Sequence, residues 1–342
     1  MEKNLLNSKL LNNVNNSSTE TDEYLLNPEN NRLTIYPIKD MDIWNAYLRQ
    51  LAAFWTAGEL DFSKDHDDYK NKLNTNEQYF IKMILAFFSS ADTIVNINLG
   101  ERFLKDVKIR EAIVCYDFQK MMENIHNETY SLQIENIIKD SEEKERLFKA
   151  VEHYECIAEK ANWALKWIES DENYAHRLIA FAILEGVFFS GSFCAIYWLK
   201  KRNIMPGLCA SNELISRDEG SHTDFAVLLY SKLKNKVSET EVHDMFLGAV
   251  EIETKFICES LPCSLLGMNS DLMTQYIKYV ADRLLLDLGY SKLWNVTNPF
   301  DFMESISLEG KKNFFEGRPT QYQKASVLNT TKNDAFNFLT EF

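Results

Sequence analysis

Two Glu-x-x-His pairs are the feature of this 342-residue sequence with the clearest capacity for chemistry. They are Glu123–His126 (ENIH) and Glu219–His222 (EGSH). On a helix, residues three apart share a face, so each pair presents a carboxylate and an imidazole to one point. A single pair arises by chance in many helical proteins. Two pairs, each in a long helical pattern rich in apolar residues, predict a shared metal site.

Two further carboxylates lie in unusually apolar surroundings. Glu185 is the one residue in Leu178–Leu199 that is charged at neutral pH, and a carboxylate there is costly unless it is paired, hydrogen-bonded or bound to a metal. Asp92 follows the apolar run Ile84–Phe88. Four-helix carboxylate proteins build two-iron sites from such sets, and oxygen with imidazole suits iron or manganese better than zinc. The predicted metal ligands are Asp92, Glu123, His126, Glu185, Glu219 and His222.

Leu178–Leu199 is long enough to span a membrane. Its flanks are basic on both sides, and we find no second segment of this kind in the sequence. A buried central helix is therefore the prediction. A Glu185 satisfied by one buried Arg or Lys stays open as the alternative to a metal.

A tyrosine lies on the predicted ligand face, since Tyr130 follows His126 by four residues. Three apolar residues lie one or two turns from the ligands, namely Phe189, Phe193 and Ile215. A phenol beside an oxygen-activating metal pair in a dry pocket suits a stored one-electron oxidant. A core tyrosine that hydrogen-bonds a ligand carboxylate is the alternative.

Composition limits the function classes. The chain is 45% hydrophobic with 11 Gly and 6 Pro, which favours one large helical domain over an all-β fold. A net charge of −14 without a basic block argues against a nucleic-acid groove. The six cysteines form no CxxC pair, and no secretory signal is visible, so we expect free thiols and a cytoplasmic protein.

The chain divides into three predicted regions. Nine Asn in the first 31 residues predict a disordered arm over 1–30. Residues 31–316 form the predicted helical domain, and 317–342 form a polar, flexible tail. The predicted helices are 40–56, 66–73, 76–105, 108–138, 143–169, 172–199, 211–234, 238–260, 270–288 and 299–315.

From residue 30 to 342 the sequence resembles the small, radical-generating subunit of class I ribonucleotide reductases of the eukaryotic or viral type. The similarity is specific and lies in the segments FWTAGELDFSKD (54–65), MENIHNETYSL (122–132), LEGVFFSGSF (184–193), PGLCASNELISRDEGSH (206–222) and NPFDFMESISLEGKKNFFE (298–316). It implies a ferritin-like all-α bundle whose six ligands hold an oxo-bridged centre of two iron ions per chain, with manganese also possible. Tyr130 matches the family's radical tyrosine.

The resemblance also implies residues that spacing alone does not single out. Trp55, Asp218 and Tyr322 match the family's electron route to the large subunit, with Arg217 beside it. The seven residues Phe336–Phe342 match its docking peptide. No membrane and no nucleic acid are implied, and the chain is expected as a homodimer or paired with a sister small subunit.

Four positions depart from the family pattern, namely Gly58, Ile97, Ser221 and Gln321. None is a predicted ligand or radical residue, and Ser221 lies about 100° from the ligand face. The resulting expectation is a ribonucleoside-diphosphate reductase small subunit. Two alternatives remain: a non-catalytic or auxiliary paralogue that scaffolds the reductase, and a stand-alone di-iron oxidase.

Overall fold

The computed structural model describes residues 22–260 and 262–303, and these ranges contain helices joined by turns and short 3₁₀ segments. The predicted all-α class is therefore confirmed. The helices are α1 Met41–Ala52, α2 Asp65–Asn71, α3 Thr75–Asn98, α4 Arg110–Ile137, α5 Ser141–Phe148, α6 Ala150–His153, α7 Glu155–Glu169, α8 Tyr174–Ile183, α9 Ser190–Lys201, α10 Pro206–Ser231, α11 Glu239–Thr254 and α12 Ser270–Asp287.

Three helices run directly into π-helical turns. These are Leu99–Phe103 after α3, which a last turn Leu104–Asp106 follows, Leu184–Phe188 after α8, and Lys255–Ser260 after α11. A π-turn adds a residue to the helical repeat, and such turns are frequent at functional sites. The turn after α8 contains Glu185, so the predicted ligand lies where the regular helix is interrupted.

Local signals explain several helix ends. The Asn74 side chain accepts hydrogen bonds from the backbone of Asn76 and Glu77, and the Glu77 carboxylate bonds the Asn74 amide in return. This capping box starts α3. Pro206 starts α10 five residues before the predicted start at 211, because proline suits the first helical position.

The prediction of one helix over 143–169 is wrong. The chain forms α5, α6 and α7, with breaks at Lys149 and Tyr154, whose backbone angles leave the helical region. Of the predicted helix 299–315, residues 299–303 are described; 301–303 are helical, whereas 299 and 300 are not.

The last residues of the predicted arm, before residue 30, already pack against the helical bundle. Leu25 and Leu26 are buried, and the Glu23 carboxylate accepts hydrogen bonds from the backbone of Lys234 and Asn235. Residues 22–30 thus lie against the bundle, which the polar composition of the arm did not indicate. Residues 1–21 lie outside the described residues.

The site is built by two helix pairs. α3 packs along α4, α8 packs along α10, and α10 also contacts α4. All of these helices belong to one compact unit of the structure. Within the described residues, two helical stretches are long and apolar enough to cross a membrane, Thr75–Asp106 and Tyr174–Lys201, so the prediction of a single such segment is wrong. Both are mostly buried inside the protein, as core helices are.

Candidate metal centre

The structure brings all six predicted ligand side chains together inside the bundle. α3 supplies one, α4 and α10 supply two each, and the π-turn after α8 supplies the sixth. None is more than 2% exposed. They are Asp92, Glu123, His126, Glu185, Glu219 and His222.

The two imidazoles face carboxylates from both ligand-pair helices. Nδ1 of His222 lies 3.0 Å from Oε1 of Glu123 and 3.0 Å from Oε2 of Glu219. Nδ1 of His126 lies 3.0 Å from Oε1 of Glu219 and 3.5 Å from Oε2 of Glu123. The same nitrogen of each ring therefore points to the space between α4 and α10.

The ligand atoms fall into two groups, and within each group they lie within 4.8 Å of one another. One group is Asp92, Glu123 and His126; the other is Glu123, Glu185, Glu219 and His222. Glu123 belongs to both, so two cations held there would be neighbours.

The unpaired atoms of these side chains fit such cations. Although some of them lie 3.0–3.5 Å from one another or from His222, no hydrogen bond of good geometry among the described residues is made by Asp92 Oδ2, both Glu123 oxygens, His126 Nδ1, Glu185 Oε2 and Glu219 Oε1. Buried polar atoms normally have a partner, because leaving them without one is costly. Two divalent cations would satisfy this donor set of oxygens and imidazole nitrogens.

Burial and mutual repulsion act on the protonation of the cluster. Burial, and then the charge of Glu123, raises the pKa of Asp92 well above its usual value. Burial and Glu219 do the same for the pKa of Glu185. Burial alone would lower the pKa of His222, but the charges of Glu123 and Glu219 raise it to about 10. Protons therefore offset the crowded carboxylate charge in the metal-free protein, where cations would otherwise do so.

Asp218 connects the cluster to Trp55. Its Oδ2 accepts a hydrogen bond of 2.7 Å from Trp55 Nε1 and lies 3.3 Å from Nε2 of His126. Arg217 donates to the other oxygen, Oδ1, at 2.9 and 3.1 Å, and also to the carbonyl of Ala53 at 2.7 Å. The structure thus brings Trp55, Asp218 and Arg217 beside the outer nitrogen of His126.

Tyr130 is 2% exposed and lies on α4 in an aromatic environment. Its ring stacks on Phe88, with centroids 4.8 Å apart. Phe88 also contacts Phe189 at 5.7 Å and Phe193 at 5.1 Å. Burial, and then the charge of Asp92, raises the pKa of the Tyr130 phenol well above its usual value. The phenol therefore stays protonated in this buried aromatic pocket. The remaining predicted pocket residue, Ile215, is fully buried in α10.

Two residues of the site were missed in the sequence. Phe88 is the ring that joins Tyr130 to the two predicted phenylalanines. Gln119 points its side-chain nitrogen at Oε1 of Glu185, 3.4 Å away, and is fully buried. A signal for Gln119 exists, since it precedes Glu123 by one helical turn on the ligand face. Phe88 had no such signal, because it lies in a run of apolar residues.

An open cleft of about 510 Å³ reaches the cluster from outside. Asp92 and Glu123 line its inner end, and Asn96, Asn124 and Lys120 line its sides. Asn96 donates to Asn124 at 2.8 Å and so connects α3 to α4 across the cleft.

The three described positions that depart from the family pattern, Gly58, Ile97 and Ser221, supply no ligand atom. Gly58 is exposed, and Ile97 is exposed at the rim of the cleft. Ser221 donates to the carbonyl of Arg217 in its own helix, 3.1 Å away. Gln321, Tyr322 and Phe336–Phe342 lie outside the described residues.

Fold and site together define a ferritin-like helical protein with a carboxylate and histidine cluster suited to a dimetal centre. Residues 32–299 match the family model described as "Ribonucleotide reductase, small chain". The ribonucleoside-diphosphate reductase small chain from Nicotiana tabacum is 56% identical, over 90% of this sequence and 94% of its own length. The small chain from Vaccinia virus, strain Western Reserve, is 54% identical over 91% of this sequence and 97% of its own length.

A solved structure gives the same result. The structure of the ribonucleotide reductase Rnr4 homodimer from Saccharomyces cerevisiae matches with a TM-score of 0.78 and 35% identity, covering 90% of this chain and 99% of that one. The chain belongs to the ribonucleotide reductase small-chain family. Its function is that of the radical-generating subunit in ribonucleotide reduction, an oxidoreductase.

Proposed function

We propose that the six buried side chains hold two iron ions, and that Tyr130 carries the radical of this ribonucleotide reductase small chain. The observation that supports this most directly is the pair of ligand groups that share Glu123 and present unpaired buried atoms to each other. When bound, a ferrous pair would supply two of the four electrons that reduce dioxygen, with Tyr130 giving the third and an external one-electron reductant the fourth. Manganese fits the same oxygen and nitrogen donors.

The surrounding residues give Tyr130 a protected position. Phe88 stacks on its ring, and Phe189 and Phe193 pack behind Phe88. Ile215 adds a further buried apolar side chain in α10. In this role the pocket excludes water and external reductants from the phenol, so an oxidised Tyr130 persists.

Asp218 and Trp55 begin the proposed electron route out of the site. Asp218 accepts from Trp55 and touches His126, and Arg217 holds the other carboxylate oxygen. Burial raises the pKa of Asp218, but His126 and Arg217 together bring it below its usual value. The carboxylate therefore stays ionised and keeps the outer face of His126 oriented. Tyr322 would continue the route towards the large subunit.

The partner is proposed to be the large subunit, bound through Phe336–Phe342, whose two terminal aromatic residues would anchor the segment. A dimer of small chains is proposed from the yeast relative, whose structure is described as a homodimer. Pairing with a sister small subunit is the other form of this dimer. The buried state of both apolar helices agrees with a cytoplasmic location.

Adding ferrous iron and oxygen to the metal-free protein tests the proposal. We expect two irons per chain and a tyrosyl signal in electron paramagnetic resonance, and Tyr130→Phe should keep the iron and lose the signal. A tyrosyl signal that survives in Tyr130→Phe would refute the assignment of Tyr130. Two irons without a radical in the unaltered chain would favour an oxidase, and no stoichiometric metal would favour a scaffold paralogue.

A further inference from the structure

Lys160 and Glu253 form an ion pair deep inside the protein, away from the ligand cluster. Lys160 lies on α7 and Glu253 on α11, and they are 1% and 0% exposed. The ammonium Nζ lies 2.6 Å from Oε2 of Glu253. None of the residues assigned to the metal centre or to the electron route belongs to this pair.

Each member of the pair also binds the backbone of the helix that carries Glu185. Lys160 donates to the carbonyl of Phe188 at 2.6 Å, and Glu253 accepts from the amide of Gly191 at 3.2 Å. Phe188 ends the π-turn, and Phe189 separates it from α9. Backbone groups at a helix interruption lack their regular helical partners. Here the ammonium serves as the donor to the carbonyl and the carboxylate as the acceptor for the amide, so each backbone group has a charged partner of the right kind.

The surroundings leave little freedom for the pair. Nζ of Lys160 lies 3.6 Å from the ring centre of Phe87 and 4.1 Å from that of Phe256. Cation–π attraction therefore adds to the hydrogen bonds. A Cβ on Gly191 would meet Glu253 Oε1 at 2.7 Å, so only glycine lets this carboxylate approach the helix so closely.

Stability is a poor explanation for this arrangement. Burying two charges carries a large desolvation penalty, and apolar replacement of such a pair is often neutral or stabilising. Burial lowers the pKa of Lys160 to about 8 and raises that of Glu253 to about 7, against their mutual attraction. A buried ion pair is therefore weak evidence for a stabilising role, and its contacts with Phe188 and Gly191 point to a positional one.

We propose that Lys160 and Glu253 are positioning residues that hold the π-turn Leu184–Phe188 in register and thereby set the Glu185 carboxylate for one metal ion. This inference rests on the proposed dimetal function. Glu185 belongs to the ligand group of Glu219 and His222 and not to the group of Asp92 and His126. The pair should therefore affect the two ions unequally.

Titrating the metal-free protein with Mn²⁺ alone tests this, with the free ion counted by electron paramagnetic resonance. We expect the unaltered chain to bind two ions. In the double variant Lys160→Met/Glu253→Gln, one ion should bind with unchanged affinity and the other at least tenfold more weakly. The thermal midpoint of the metal-free variant should equal or exceed that of the unaltered chain, a combination that a purely structural role does not produce.

Two further variants keep the test decisive if the double variant does not fold. Gly191→Ala retains both charges but displaces Glu253 from the backbone, and it should show the same unequal loss. Arg177→Met is the matched control, because it removes a buried cation paired with Asp106 at 2.7 Å in the helix that precedes the π-turn. It should lower stability and leave both Mn²⁺ affinities unchanged.

The outcomes separate this inference from the proposed function. Fewer than two ions in the unaltered chain would overturn the dimetal proposal and this inference with it. The inference alone would be overturned by a different result. In that case the unaltered chain binds two ions, but Gly191→Ala and the double variant weaken the binding of both ions equally or of neither.

Discussion

The indole of Trp55 stacks against the imidazole of His126, with ring centroids 5.9 Å apart and planes inclined by 21°. Both rings also contact the same oxygen, Oδ2 of Asp218. Trp55 comes from the segment after α1, whereas His126 lies on α4. The cluster of candidate ligands is thus connected to a distant chain segment through one buried carboxylate and one ring contact.

Replacing Trp55 with Phe should separate radical formation from radical use. The variant keeps an aromatic ring but loses the Nε1–H that Asp218 accepts. We expect two irons per chain and a normal tyrosyl signal, with reductase activity in the presence of the large subunit falling to background. Trp44→Phe, a half-buried tryptophan on α1, is the control and should retain activity. Normal turnover in Trp55→Phe would contradict the proposed route.

Asp218→Asn should weaken the metal centre itself. The amide has the shape of the carboxylate but not the charge that orients His126 and balances Arg217. Loss of such outer carboxylates typically reduces metal affinity by about 10–100-fold. Mn²⁺ or Fe²⁺ titration of the metal-free protein measures this. An affinity within twofold of the unaltered chain would rule out an orienting role for Asp218.

Phe88→Leu should shorten the life of the radical without preventing its formation. The substitution removes the ring that stacks on Tyr130 and leaves space beside the phenol. The tyrosyl signal should reach its full amplitude and then decay several-fold faster, as followed by electron paramagnetic resonance. Phe103→Leu is the matched control, since Phe103 is equally buried and stacks on Tyr116. Equal decay rates in both variants would argue against a protective role for Phe88.

The helical periodicity explains why most of the site was predictable. Glu123 with His126, and Glu219 with His222, lie three residues apart, so one face follows from the sequence alone. The isolated charge of Glu185 in an apolar helix was an equally local signal. That all six candidate ligands lie at one place depends on how four helical segments pack together, and this is visible only in the structure.

Other features depend on pairings between distant segments and had no local signal. The ring of Phe88 and the Lys160–Glu253 pair act through partners 28 or more residues away in the sequence. Neither proline nor a polar run marks the interruption at Phe189, so the periodicity predicted a continuous helix there. Buried ion pairs and π-turns are tertiary outcomes, and a single sequence does not reveal them.

Removing residues 336–342 should abolish binding to the large subunit and leave the site intact. The described bundle that contains all six ligands does not include this segment. We expect normal iron content and a normal tyrosyl signal, with no complex by analytical ultracentrifugation. A synthetic peptide of 336–342 should compete with the intact protein, and a peptide with both Phe336 and Phe342 replaced by Ala should not. Unchanged binding after the deletion would exclude this docking segment.

The Lys160–Glu253 pair predicts an unusual pH dependence of stability. In the folded state the pKa of Glu253 is about 7, above its usual value, so the pair's contribution to the free energy of unfolding decreases as pH rises towards 7. The pKa of Lys160 is about 8, below its usual value, so this contribution increases again as pH rises above 8. The pair therefore stabilises the protein least between pH 7 and 8.

Urea unfolding of the metal-free protein at acid, neutral and alkaline pH measures this contribution against Lys160→Met/Glu253→Gln. Groups present in both proteins, such as the Cys156 thiol near Lys160, cancel to first order in the difference. Between pH 7 and 8 the free energy of unfolding of the double variant should equal or exceed that of the unaltered protein. Below pH 7 and above pH 8 it should fall relative to that of the unaltered protein. If instead the unaltered protein exceeded the double variant in free energy of unfolding by most between pH 7 and 8, the pair would be a stabilising element. The reason for assigning it a positional role would then disappear.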